Sequence, residues 1–194
     1  MTPDERRQSL IDHTLPLLYV HGRGVTTKLI AEAAGVAEGT IFRVFDSKDE
    51  LVDAALQQAF RPGQISARLG DVDPAWPLEQ RLVKLVSILQ QRLRATFGLM
   101  QACGLVAPPA VEGERLETVR AEGRRLVERL MEIVGDDADQ LTVDAHQLLH
   151  LIRLLTFSGS HEQIADGQLL TPDQIVDVVL HGVMKTPSVS SKDH

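Results

Sequence analysis

His146 and His150 stand four residues apart, a spacing that sets two imidazoles on one helical face where a third donor could complete a metal site. Asp144 and His161 are the nearby donors, but the H-E-x-x-H arrangement of a zinc centre is absent. These groups are therefore read as polar residues at an interface or pocket edge, and no metal is expected. Cys103 is the single cysteine in a chain with seven histidines, and no pattern brings it to one of them as a nucleophile pair. Neither G-x-S-x-G nor a phosphate-binding glycine loop occurs. Nothing points to an enzyme, and no cofactor is expected.

Chemistry of another kind is available to Gly39, Thr40, Phe42 and Arg43. They share the outer side of a short helix expected from about Glu38, whose inner side offers Ile41, Val44 and Phe45 to a small core. A bare glycine, a hydroxyl and a guanidinium suit a DNA major groove, which admits a helix and carries phosphates along its walls. A preceding helix must hold this one in place. Thr26 is a good N-cap for a helix from Thr27, Ile30 and Ala34 share its inner face, and Ala31 is small enough for close approach. Gly35 can take the left-handed conformation that ends it, with Val36 sealing the corner. A helical hairpin in an ordinary bundle would show similar apolar spacing.

The pattern of Ala31, Gly35, Val36 and Ile41, closed by Phe45-x-Ser47-Lys48-x-Glu50-Leu51, is more restrictive. It resembles the DNA-binding segment of the tetracycline-repressor (TetR) family, which typically reads I-A-x-x-A-G-V-S-x-G-T-(L/I)-Y-x-H-F-x-S-K-E-x-L. Ile30, Ala31, Ala34, Gly35, Val36, Gly39, Thr40, Ile41, Phe45, Ser47, Lys48 and Leu51 match it. The departures are informative. Ala37 replaces the usual serine cap, Phe42 a tyrosine whose hydroxyl usually reaches phosphate, and Val44 a histidine, while Glu38 puts negative charge near the expected DNA surface. These changes bear on operator sequence and binding strength rather than on fold.

The chain of 194 residues can bury one sizeable core, or a small head joined to a larger body. Leu, Val and Ala dominate at helical period without sustained β-branched alternation, so the expected fold is all-α. The net charge of −7 argues against indiscriminate nucleic-acid binding. Residues 1–60 themselves hold more acidic than basic side chains, so local placement of Arg23, Lys28, Arg43 and Lys48 must serve the head. A lone cysteine fits a reducing cytoplasm and a buried thiol. No signal peptide or membrane anchor is expected.

Along the chain, Thr2-Pro3-Asp4-Glu5 opens a helix to about His21, with a kink or irregularity expected at Pro16. Ser47 and Glu50 form a capping box for a helix ending near Phe60, and Arg61-Pro62-Gly63 is read as the joint between head and body. Leu78, Leu82, Leu85, Val86, Leu89, Leu93, Phe97 and Met100 then follow one helical face. A charged helix is expected over about 111–134, and an apolar one over 141–158 with a stripe of His146, His150 and Arg153. Thr171-Pro172-Asp173-Gln174 opens a last helix containing Ile175, Val176, Val178, Val179, Leu180, Val183 and Met184. The tail is expected to be disordered.

These readings divide the chain into a helix-turn-helix head over 1–46, a regulatory, ligand-binding and dimerising helical bundle over 47–185, and a tail over 186–194. Expected DNA contacts are Thr26, Thr27, Lys28, Glu38, Gly39, Thr40, Phe42, Arg43 and Lys48. A mostly apolar small-molecule effector is expected against Leu89, Leu93, Phe97 and Met100, with Gln90, Gln101 or His150 as polar contacts and Gly98 and Gly104 leaving space. The last two helices are expected to form a four-helix dimer bundle through Leu148, Leu151, Leu155, Ile175, Val179 and Val183. The resemblance implies a cytoplasmic homodimer, most often a repressor, released from a near-palindromic double-stranded operator by its effector. The alternative is a helical ligand- or metal-binding dimer whose head has lost specific DNA binding.

Overall fold

The computed structural model describes residues 2–111 and 113–183, and within them the regular structure is helical, with no strand among the described residues. The helices are α1 (Pro3–His21), α2 (Thr27–Ala34), α3 (Lys48–Ala59), α4 (Gly63–Leu69), α5 (Leu78–Cys103), α6 (Glu114–Val134), α7 (Ala145–Gly159) and α8 (Pro172–Val183). Shorter 3-10 helices occupy Gly22–Gly24, Glu38–Arg43 and Gly135–Gln140. The expected tail over 186–194, Met184 and the Val183 side chain lie outside the described residues. So do the side chains of Glu112, Glu114 and Arg115.

Two compact units emerge. The first comprises Met1–Gln64 with Arg94–Gly123, and the second Ile65–Leu93 with Arg124–His194. Residues 94–103 at the end of α5 thus join the unit that holds α1, α2 and α3.

In the first unit, the Thr2 hydroxyl accepts from the Glu5 amide at 3.2 Å while the Glu5 carboxylate accepts from the Thr2 amide at 2.7 Å, the reciprocal box expected at the start of α1. The helix is continuous through Pro16 to His21. At α3 the box is only half formed. Ser47 caps the Glu50 amide at 3.1 Å, but the Glu50 carboxylate reaches past Ser47 to the Asp46 amide at 2.8 Å. Leu10, Leu18, Ile30, Ile41, Phe45, Leu51 and Leu56 fill the core between α1, α2 and α3, and Leu99 and Cys103 from α5 complete it. Gly22 is required where the chain passes α5. A Cβ there would lie 2.0 Å from the Ala102 carbonyl oxygen, and φ is +53°.

The second unit packs α7 on α8, with Leu82, Leu85, Val86, Ile88, Leu148, Ile152, Ile175, Val176 and Val179 at its centre. The Asp144 carboxylate caps α7 by accepting from the Gln147 amide at 2.8 Å, so this helix starts four residues later than its apolar content suggests. Likewise α6 starts at Glu114, because Gly113 immediately before it is left-handed at φ +64°. Thr171 and Gln174 form the expected reciprocal box at α8. Arg81 is 5% exposed and donates to the carbonyls of Ile133 at 2.6 Å and Val134 at 3.4 Å while pairing with Asp137, so one guanidinium closes the C-terminal end of α6.

Candidate nucleic-acid interface

Thr26 starts the reading head. Its hydroxyl accepts from the Leu29 amide at 3.2 Å, satisfying a first-turn donor of α2. Gly35 ends that helix at φ +66°, with its amide bonded to Glu32 O at 3.2 Å and the Val36 amide to Ala31 O at 3.0 Å. This pair of bonds reverses the chain with every end carbonyl involved satisfied. Val36 is half-buried against the same core.

The recognition element differs from expectation in kind. Glu38–Arg43 is a 3-10 helix, not an α-helix, with Thr40 N bonded to Ala37 O at 2.8 Å and Val44 N to Ile41 O at 3.0 Å. Ala37 supplies no side-chain cap, and the tighter i to i−3 bonds satisfy amides that a serine would have engaged. The facing is as the spacing requires. Ile41 is fully buried and Phe45 nearly so, whereas Gly39 and Arg43 are exposed and Phe42 is 54% exposed. A Cβ on Gly39 would meet nothing within 4 Å, so this glycine leaves room for an approaching surface.

Charge is partly neutralised inside the head. Thr27 donates its hydroxyl to the Glu38 carboxylate, joining the first turns of α2 and the recognition element. Arg23 pairs with Asp53 at 2.6 Å. The half-buried Lys48 ammonium donates to the Arg23 carbonyl at 3.0 Å, which leaves it two further N–H groups for a phosphate. Lys28 and Arg43 are exposed and form no ion pair among the described residues. Behind the element, Arg7 of α1 lies 4.2 Å above the Phe45 ring and 3.5 Å from Glu50. Sequence spacing could not announce these supports, because they join residues 11 to 43 positions apart.

The other expected sites fare differently. Leu89, Gln90, Leu93 and His150 belong to the second unit, whereas Phe97, Met100 and Gln101 belong to the first. Gln101 and His150 are exposed, and Gly98 and Gly104 face open space, since one periodic face does not report which stretch of a long helix enters which core. Arg153 donates to His150 Nδ1 at 3.2 Å, and no cluster of three metal-ligating side chains occurs among the described residues. Of the expected dimer residues, Leu148, Ile175 and Val179 are buried in the core of the second unit, so their side chains are not on its surface. Leu151 and Leu155 are half-buried, and among the described residues the exposed large apolar side chains of α7 and α8 are Leu154, Phe157 and Val178. No described helix is long and apolar enough to cross a membrane.

A capped helix, a left-handed glycine corner and a short element with a buried apolar side and an exposed Gly-Phe-Arg side define a helix-turn-helix protein of the DNA-binding class. Residues 10–55 match the family model for bacterial regulatory proteins of the tetR family. The HTH-type transcriptional regulator YvkB of Bacillus subtilis is 48% identical over 59 residues, a match spanning 30% of this chain and 30% of YvkB. The HTH-type transcriptional repressor KstR of Rhodococcus jostii is 29% identical over 179 residues, covering 89% of this chain and 83% of KstR. Among solved structures, the transcriptional regulator FadR of Bacillus subtilis in complex with stearoyl-CoA superposes with a TM-score of 0.56 at 17% identity, covering 90% of this chain and 95% of that one. Over residues 10–55 the chain is thus similar to the DNA-binding segment of tetR-family regulators, and its longer matches are to HTH-type transcriptional regulators.

Proposed function

We propose that the protein is a ligand-responsive repressor that binds a near-palindromic operator as a homodimer in the cytoplasm, each recognition element entering one of two successive major grooves. Residues 1–46 read DNA, and residues 47–185 bind the effector and dimerise. One observation carries this reading: Ile41 and Phe45 anchor the recognition element while Gly39, Phe42 and Arg43 are exposed, as is Lys28 on α2. Thr26, Thr27, Glu38, Thr40 and Lys48 flank that surface. The repressor name of KstR supports the direction of regulation, and the stearoyl-CoA of the FadR complex supports a largely apolar effector.

Polar anchoring for such an effector is available in the second unit. Gln90 donates to the Leu170 carbonyl at 2.8 Å, while its own Oε1 and the hydroxyls of Thr156 and Ser160 are buried without hydrogen-bond partners. Buried polar atoms of this kind carry an unmet bond that a ligand can supply. The dimer face then comprises Leu154, Phe157 and Val178.

Selection of bound fragments from genomic DNA tests the proposal: a recovered palindrome supports it. The 3-10 recognition element and the acidic Glu38 favour the second reading, a helical ligand-binding dimer without specific DNA affinity. Recovery of no enriched sequence would decide for that second reading.

A further inference from the structure

The 3-10 form of Glu38–Arg43 sorts its side chains by threes. In such a helix the side chains at i and i+3 lie one above the other. Ile41 therefore lines up with Val44, Thr40 with Arg43, and Gly39 with Phe42. Burial follows the same division. Ile41 is buried and Val44 half-buried, Thr40 is half-buried and Arg43 exposed, and Gly39 and Phe42 are both exposed. The line of Gly39 and Phe42 is thus the outermost, and its first position carries no side chain. A Cβ on Gly39 would meet nothing within 4 Å, so nothing along that line holds an opposing surface away from the Phe42 ring.

The ring has no part in the core of the head, which takes Ile41 and Phe45 from this stretch and packs Val44 against them. Arg43, next to it in the chain, is exposed and forms no ion pair among the described residues, so the ring stands beside positive charge available to a polyanion. What a phenyl ring can recognise on DNA is restricted. It has no donor for a phosphate oxygen. In the major groove adenine, guanine and cytosine present ring nitrogens, carbonyl oxygens and amino groups, and thymine alone adds a methyl group. Covering a polar base edge with a phenyl ring removes its water without replacing the hydrogen bonds, whereas covering a methyl group forfeits none.

We propose that Phe42 is a specificity-determining residue that reads the C5-methyl group of one thymine in each half-site, a role that rests on Glu38–Arg43 being the recognition element. Gly39 lets the backbone come close enough for the ring to reach the base edge. The contact is apolar, so its contribution does not depend on salt, in contrast to those of Arg43 and Lys28.

The full-length protein is first used to select duplexes from a random library, and each thymine of the recovered sequence is then replaced by deoxyuridine. That replacement keeps the base pair and the O4 acceptor and removes only the methyl group. Fluorescence anisotropy should find one thymine per half-site whose replacement weakens wild-type binding about fourfold, the equivalent of burying one methyl-sized group. The loss should be the same at low and high salt. Phe42→Ala, a change at an exposed position, should bind the thymine and deoxyuridine duplexes alike, which closes the double-substitution cycle on this one contact. Wild-type binding that is equal for every deoxyuridine duplex and its parent overturns the proposal and leaves the operator reading standing. So does a loss that persists undiminished in Phe42→Ala. Recovery of no enriched sequence overturns both.

Discussion

The Thr27 hydroxyl donates to the Glu38 carboxylate, so the first turn of α2 is tied to the first turn of the recognition element by an acid on the surface proposed to face DNA. Glu38 thus orders the head and opposes phosphate at once. Replacing it by Gln keeps an acceptor for Thr27 and removes the charge. DNA affinity of Glu38→Gln should rise several-fold at low salt, with the gain shrinking as ionic strength increases. Fluorescence anisotropy across a salt series measures both, and an unchanged affinity would place Glu38 outside the interface.

Arg43 and Lys28 are the exposed cations of the head without an internal partner among the described residues. Arg43→Ala should weaken operator binding by about 1–3 kcal/mol if the guanidinium reads a base edge. Lys28→Ala should instead flatten the slope of log affinity against log salt by about one. Lys48→Ala is expected to do the same and also to lower stability by about 0.5–1.5 kcal/mol, because the ammonium holds the Arg23 carbonyl. Identical salt slopes for wild type and Lys28→Ala would remove Lys28 from phosphate contact.

Neighbouring valines of α8 separate assembly from folding. Val178 is 61% exposed and Val179 only 3%. In sedimentation, Val178→Glu should give a folded monomer if α7 and α8 form the dimer face. Val179→Glu buries a charge in the protomer core and should cost several kcal/mol of stability whatever the oligomeric state. A fully dimeric Val178→Glu protein moves the interface elsewhere.

Arg81 closes α6 from within the second unit, and its loss leaves the Ile133 and Val134 carbonyls and the Asp137 carboxylate without their donor. Arg81→Ala should destabilise that unit by about 1–3 kcal/mol, the cost of leaving buried acceptors without their donor. Urea denaturation followed by circular dichroism reads this. A midpoint unchanged from wild type would show that solvent replaces the guanidinium.

Burial pushes the Cys103 thiol above its ordinary value of 9.0, with Arg23 acting in the opposite direction. A thiol whose folded value is raised contributes stability that is fully present below the unfolded value and is lost as pH rises through the folded one. Stability should therefore fall on titration above pH 9.0 in wild type and less in Cys103→Ala, measured by denaturant midpoints. Native alkylation should be slow and should accelerate on unfolding.

Local chemistry made much of the head readable from residues alone. Thr26 and Gly35 bound α2 because capping and left-handed geometry are properties of single side chains acting on adjacent backbone. Ile41 and Phe45 face inward because four residues return the chain to one side. The boxes at Thr2 and Thr171 are local for the same reason. Periodicity likewise located α5, α7 and α8, but not which of their apolar residues meet their own core. Val178 and Val179 are equally apolar in sequence, and only the packing of α7 on α8 buries one and exposes the other. The 3-10 form of Glu38–Arg43 and the placement of Arg7 behind Phe45 were also decided in three dimensions. Each depends on contacts between residues distant in the chain, whose geometry no local spacing encodes.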